Sequence, residues 1–373
     1  MAENKIKPII NTILSSAGIT INGSNPWDIK VYDDRLYQRI LIDHSLGLGE
    51  AYMDGWWDCQ QLDIFFHRIL SHNVSPNIKI NRTVLLEIIK FKLFNKQNKT
   101  RAKQVAARHY DLGNDLFKHM LGKHMAYSCG YWKSAKNIDQ AQEAKFDLIC
   151  KKLQLKPGMS ILDVGCGWGS LSKFAAEKYK VKVTGVTISK KQSEFGRSLC
   201  QGSAVNIKIQ DYRDIQEKYD RIVSVGMFEH VGFKNYNTYM KVIERCLKDD
   251  GLFLLHTIGA NNLGSGIDIW IDKYIFPNGM IPSSIHVIKN IENRFIIEDW
   301  HNFGADYDKT LMAWQSNFEN NWDKIRNNYD NTFYRMWKFY LSSCAAMFRA
   351  RNLQLWQIVL SKKGVPGGYI SIR

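Results

Sequence analysis

From about residue 157 onward, short apolar runs alternate with longer amphipathic stretches. Residues 160–164, 181–187, 205–209, 221–225 and 252–256 read as strands, with helices over 171–179 and from Ser189. Segments 295–300 and 355–361 supply two last strands, and 307–349 between them reads as largely helical. Strands alternating with helices predict an α/β fold, a Rossmann-like parallel sheet with helices on both faces. Upstream the pattern differs. Residues 1–78 mix apolar and aromatic positions around Gly47 and Gly49, leading to Trp56 and Trp57, and read as a smaller N-terminal domain that is a candidate for lipid binding. The tandem tryptophans suit local packing or, if exposed, a lipid headgroup boundary. Residues 79–108 contain neither Gly nor Pro and place Lys79, Arg82, Lys96, Lys99, Arg101, Lys103 and Arg108 around an apolar run at 84–94. That pattern predicts a basic amphipathic linker helix, followed by a catalytic domain over 109–373.

Charge sharpens this picture. The 373 residues carry a formal net charge of +15, which predicts an anionic partner, either nucleic acid or an acidic membrane face. The basic cluster lies in an apolar helix, which favours peripheral contact with an anionic membrane over nucleic acid. No run of 18 apolar residues exists to span a bilayer, and the short apolar stretch at 8–14 is too polar for a signal-peptide core. The expectation is a cytoplasmic protein that works at the inner membrane face. Seven scattered cysteines form no C-x-x-C pair, and the histidines lack zinc-like spacing, so neither a disulfide framework nor a metal site is expected.

The strongest local signal is Gly165-Cys166-Gly167-Trp168-Gly169, placed between a strand and a helix. Its spacing is neither the G-x-G-x-x-G of a dinucleotide site nor a P-loop, which needs a lysine. It resembles motif I of class I S-adenosylmethionine methyltransferases. Those enzymes usually carry an acid at the end of the second strand. Here Thr187 and Gln192 stand in that region and offer neutral hydrogen bonds instead. After the third strand, Tyr212 offers a ring for adenine and Asp211 an acceptor for its amino group.

Further segments are Tyr127-Ser128-Cys129, Glu229 after the fourth strand, His256-Thr257-Ile258 and Asp306-Tyr307-Asp308. Taken in order with Gly49-Glu50-Ala51-Tyr52-Met53-Asp54-Gly55-Trp56-Trp57 and Phe333-Tyr334-Arg335-Met336-Trp337, they resemble the cyclopropane-fatty-acyl-phospholipid synthase family over nearly the whole chain. The N-terminal match favours the phospholipid-modifying branch over the mycolic acid methyltransferases. The resemblance implies transfer of the S-adenosylmethionine methyl to a cis double bond of an unsaturated phospholipid. It also implies a passing carbocation, deprotonated by bound bicarbonate, and a homodimer. Its ligand set carries over to Cys129 and Ile258 through backbone and to Glu229, His256 and Tyr307 through side chains. The cofactor set carries over to Tyr127, Ser128, Gly165, Gly167, Thr187, Gln192 and Tyr212, with Asp211 as an added candidate. The chemistry fits these types, because Tyr and His donate to bicarbonate oxygens and Glu accepts its hydroxyl. Rival readings are a methyltransferase leaving a methyl-branched chain, a nucleic-acid methyltransferase and a non-catalytic membrane module.

Overall fold

Aliphatic runs bounded by glycine and polar turns form the strands, and their order in space fixes where a ligand can bind. The computed structural model describes residues 3–72, 113–263 and 266–373. Its main strands are β1 (Ser160–Val164), β2 (Lys182–Thr187), β3 (Val205–Ile209), β4 (Tyr219–Val225), β5 (Leu247–Ala260), β6 (Ile296–Asn302) and β7 (Leu353–Ser361). They lie in the order β3-β2-β1-β4-β5-β7-β6. β1 to β5 run parallel, and β7 pairs antiparallel with both β5 and β6. This is the Rossmann-like sheet the sequence predicts. The chain turns back on itself between β1 and β4, so a crevice opens at their carboxyl ends, where sheets of this kind bind ligands.

The inner strands β1, β2, β4, β5 and β7 feed two cores, as a side-chain period of two demands. Leu162, Ile222, Phe253 and Leu255 point into one, where the helices Tyr236–Cys246 and Ser284–Ile291 pack. Ile161, Val223 and Leu254 point into the other, beneath the helices Ile138–Lys152 and Ser170–Tyr179. Ser189 caps the helix Lys190–Leu199, its side chain accepting from the Gln192 amide. The helical stretch read at 307–349 resolves into Ala305–Asn320, Trp322–Ile325 and Asn331–Arg349.

Packing sorts the chain into two units that do not follow sequence order. Among the described residues, one holds the sheet and comprises 117–263, 266, 278–317 and 353–373. The other comprises 3–72 and 113–116 with two later segments, 267–277 and 318–352. Among the described residues the second unit is mainly helical, with a two-strand ladder of Lys30–Val31 and Trp57–Asp58.

Arg335 ties this second unit together. Its guanidinium lies 3.9 Å from the Tyr52 ring centre. It donates to the carbonyls of Tyr52 and Trp57 and to the Asp58 carboxylate. The buried Glu50 carboxylate accepts from Arg39, Lys273 and the Tyr274 hydroxyl. The motifs at 49–57 and 333–337 are therefore one packed structure.

The tandem tryptophans part company. Trp57 is wholly buried against Tyr52 and Phe65 and donates to the Leu48 carbonyl. It is a core residue and cannot meet a lipid headgroup. Trp56 is half-buried, with the guanidiniums of Arg35 and Arg39 within 4.5 and 4.8 Å of its ring centre. The predicted basic helix at 79–108 lies outside the described residues. Among those described, no helix is long and apolar enough to cross a membrane.

Candidate active site

At the end of β1, Gly165 and Gly167 adopt φ of +81° and +55°, a region that favours glycine. The amides of Gly165 and Cys166 both donate to the Val186 carbonyl at 3.0 Å and pin the loop to β2. A Cβ on Gly165 would press on Met227, whereas one on Gly167 would meet nothing within 4 Å. The backbone at Gly167 thus faces open space at the crevice, the arrangement a close-lying ligand needs. Gly167→Val fills that space. It is expected to weaken S-adenosylmethionine binding by about tenfold or more in a calorimetric titration, while the left-handed φ costs about 1–2 kcal/mol of stability. Unchanged affinity would count against the loop as a cofactor site.

At the end of β2, the Thr187 hydroxyl donates to Gln192 Oε1 at 2.9 Å and accepts from the Ser189 amide. A neutral pair thus stands where related sheets place an acid. After β3, both oxygens of Asp211 accept from Arg213, which holds its carboxyl below the ordinary range. Asp211 already has a cationic partner. Tyr212, half-buried, sets its ring edge-on to Tyr239.

Tyr127 lies between Phe117 and Trp314, each ring centre 5.3 Å away. The hydroxyl of its neighbour Ser128 accepts from Lys145 Nζ at 2.7 Å. Lys145 is almost completely buried, and burial lowers its pKa to about 7 against the pull of Cys129 and Asp163. Asp163, also buried, accepts from the Ser172 hydroxyl, and desolvation raises it to about 6. Sequence reasoning missed Lys145. The available signal was a lysine on the apolar stripe that runs through Ala141, Leu148 and Ile149.

The second cluster lies between β5 and the helix Ala305–Asn320. Glu229 sits in a short 3-10 turn beyond β4, and its Oε1 accepts from the Ile258 amide at 2.7 Å. Burial raises its carboxyl pKa. His256 lies in β5, and Gln357 Nε2 approaches its Nδ1 at 3.3 Å. Gln357 thus occupies Nδ1 and leaves Nε2 as the ring nitrogen without a partner. Burial drives the imidazole pKa well below its usual value, so the ring is neutral.

Cys129, Phe303 and Leu355 form a small core with Tyr131, Ile258 and Tyr307 against it, and the His256 ring meets Phe303 edge-on at 5.9 Å. Burial pushes the Cys129 thiol well above its ordinary pKa, which makes it a poor nucleophile. Thr310 organises this region. Its hydroxyl donates to the Asp306 carbonyl and accepts from the Gly130 amide and the Trp132 indole, joining the Cys129 loop to the helix that carries Tyr307. The structure therefore gathers all five proposed catalytic residues in one neighbourhood. Buried polar atoms there without a hydrogen-bond partner are Glu229 Oε2, His256 Nε2 and, on the side chain beside the imidazole, Gln357 Oε1. Among the described residues, no three His, Cys, Asp or Glu side chains group as metal ligands.

Comparison with known proteins bears on this geometry. The family model described as mycolic acid cyclopropane synthetase matches residues 97–358. The chain is 53% identical over 360 residues to a cyclopropane-fatty-acyl-phospholipid synthase of Escherichia coli K12, covering 96% of this chain and 94% of that one. It resembles the solved cyclopropane synthase MmaA2 from Mycobacterium tuberculosis at 30% identity and TM-score 0.64, over 70% of this chain and 98% of that one. It is similar to the same extent in fold to the mycolic acid cyclopropane synthase CmaA1 complexed with SAH and CTAB, with 34% identity, TM-score 0.64 and the same coverage of 70% and 98%.

Proposed function

The chain belongs to the cyclopropane synthase family, and on that premise we propose that it cyclopropanates the cis double bond of an unsaturated phospholipid acyl chain at a membrane surface. It is an S-adenosylmethionine-dependent methyltransferase. One observation carries the finer reading. In a site lined by Phe303, Leu355, Tyr131 and Ile258, a buried carboxylate oxygen and a buried imidazole nitrogen stand without partners. Each such group costs about 1–3 kcal/mol if left unsatisfied. A small guest with both an acceptor and a hydroxyl donor answers the pair, and hydrogen carbonate has that form. The CTAB complex of the CmaA1 relative, with its single alkyl chain, supports an acyl-chain site beside it.

When bound, S-adenosylmethionine supplies an electrophilic methyl and bicarbonate a proton acceptor. The chain's own residues do the rest. The turn at Gly165 and Gly167, the Thr187–Gln192 pair and Tyr212 hold the adenosyl end. Ser128 accepts from Lys145 and so keeps its own hydrogen free to donate to a ligand. An alkene is a weak nucleophile, so its π electrons must be held close to the methyl carbon and in line with it. Positive charge then develops on the acyl chain, and the ring faces of Tyr131 and Phe303 are suited to stabilise it. Glu229 Oε2 and His256 Nε2 fix the proton acceptor in a site from which bulk water is excluded. Loss of one proton from the new methyl closes the ring, and the chain gains a methylene.

The test uses donor with a fully deuterated methyl group, followed by mass spectrometry of the phospholipid fatty acids. A ring keeps two of the deuteriums, whereas a methyl branch keeps all three. Retention of three would replace cyclopropanation with simple methyl transfer.

A further inference from the structure

The helix Ser284–Ile291 buries Val287 and Ile291 in the sheet core. Its outer face carries Ile285 and Ile288, which are 52% and 48% exposed. The solvent face of an amphipathic helix normally carries polar residues. Two more large apolar residues, Phe233 and Met280, are exposed beside it. They are physically joined to it, since the Phe233 amide lies 3.5 Å from Met280 Sδ and the Phe233 ring stacks on His286 at 4.3 Å. Backbone hydrogen bonds tie the segment that carries Met280 to the candidate base site. The Met280 amide donates to the Glu229 carbonyl, and the Ala260 amide donates to the Pro282 carbonyl. Lys234 and Lys289 are exposed at its margins, with Glu292 the acid at the helix end.

We propose that Phe233, Met280, Ile285 and Ile288 form the surface by which this unit inserts shallowly into an anionic phospholipid membrane, with Lys234 and Lys289 at the headgroups. The inference rests on the acyl-chain reading given above. A lipid is the occupant that the position favours. An acyl chain must travel from a bilayer to the neighbourhood of Glu229, and this surface adjoins that turn through the Met280–Glu229 backbone bond. The two lysines and the net charge of +15 complement an acidic leaflet. Apolar side chains set among basic ones are the composition of an interfacial contact.

The experiment measures co-sedimentation of the full chain with vesicles of unsaturated anionic phospholipid at low salt. The double variant Ile285→Glu/Ile288→Glu is expected to partition about tenfold more weakly or worse. Its S-adenosylmethionine affinity by calorimetry should match wild type, which shows that the unit is folded. The vesicle concentration for half-maximal rate should rise, with the rate at saturating vesicles retained. Ile370→Glu changes an isoleucine of the same unit that is 82% exposed, and it should bind as wild type. Partition of the double variant within twofold of wild type would overturn the placement, as would an equal loss in Ile370→Glu. If wild type itself ignores the vesicles, the membrane reading falls and the proposal falls with it. Cyclopropanation is then judged separately by the deuterium count.

Discussion

Turnover of Glu229→Gln on unsaturated phospholipid vesicles is expected to fall by about 10²–10³-fold, the range seen when one preorganised polar contact to a reacting centre is lost. Affinity for S-adenosylmethionine should stay within a few-fold of wild type. The substitution is nearly isosteric, and the amide oxygen can still accept from the Ile258 amide. The change falls on the other atom, where an acceptor with no partner becomes an NH2 donor. A guest that presents its own hydroxyl there then meets donor against donor. Tyr307→Phe should act in the same direction, with a smaller effect from losing one hydroxyl. Added bicarbonate should recover part of the rate in buffer freed of carbon dioxide, to the extent that occupancy was lost. Acid should also slow wild type. Burial raises the Glu229 carboxyl, so its acceptor form is lost as pH falls through a value above the ordinary Glu range. Full activity in both variants would remove Glu229 and Tyr307 from the base site.

Glu50→Gln is expected to destabilise the protein by about 3–5 kcal/mol, as when one partner of a buried ion pair is removed. Glu50 keeps 9% side-chain exposure, with Arg39 at 2.6 Å and Lys273 also against it. The amide would turn its NH2 toward cations that can only donate. Burial alone raises the carboxyl, but hydrogen bonds from Lys273, Tyr274 and Arg39 outweigh it and hold the pKa below 4.5. The pH consequence follows from that sign. A depressed carboxylate contributes its full stability above its unfolded pKa and loses it as pH falls through the folded one. The gap between wild type and Glu50→Gln should therefore be widest near neutral pH and close in acid. Chemical denaturation at several pH values measures this, and a pH-independent gap would show that the ion pairs are not its source.

The sheet was legible because its strands announce themselves locally. β1 and β3 run over the residues their apolar runs mark, since glycine and polar turns bound them. β5 was read as 252–256 but spans Leu247–Ala260. Lys248, Asp249 and Asp250 look like a turn in sequence, and only pairing with β4 and β7 draws the outer residues into the strand. The glycine loop was legible for the same local reason. Arg335 was not, because its partners Tyr52, Trp57 and Asp58 are distant along the chain and nothing local specifies them. Thr310 and Lys145 were missed because each matters through what it bonds across the fold. The contact of His256 with Gln357 was hidden for the same reason, since Gln357 lies on another strand.

The interleaving of the two packing units has a consequence for how the protein is made. A ribosome delivers the N-terminal helices first, yet their cover, including Asn331–Arg349, is translated only after strands β1 to β6. The sheet has the same difficulty. β6 pairs with β7, and β7 also closes the open side of β5, so both wait for residues 353–361. At ~5–20 residues per second, early apolar surfaces stay uncovered for on the order of tens of seconds. Nascent chains should thus depend on holding factors until residues 331–361 have been made. Loss of residues 331–361 together should harm both units at once, and an isolated N-terminal fragment should be insoluble.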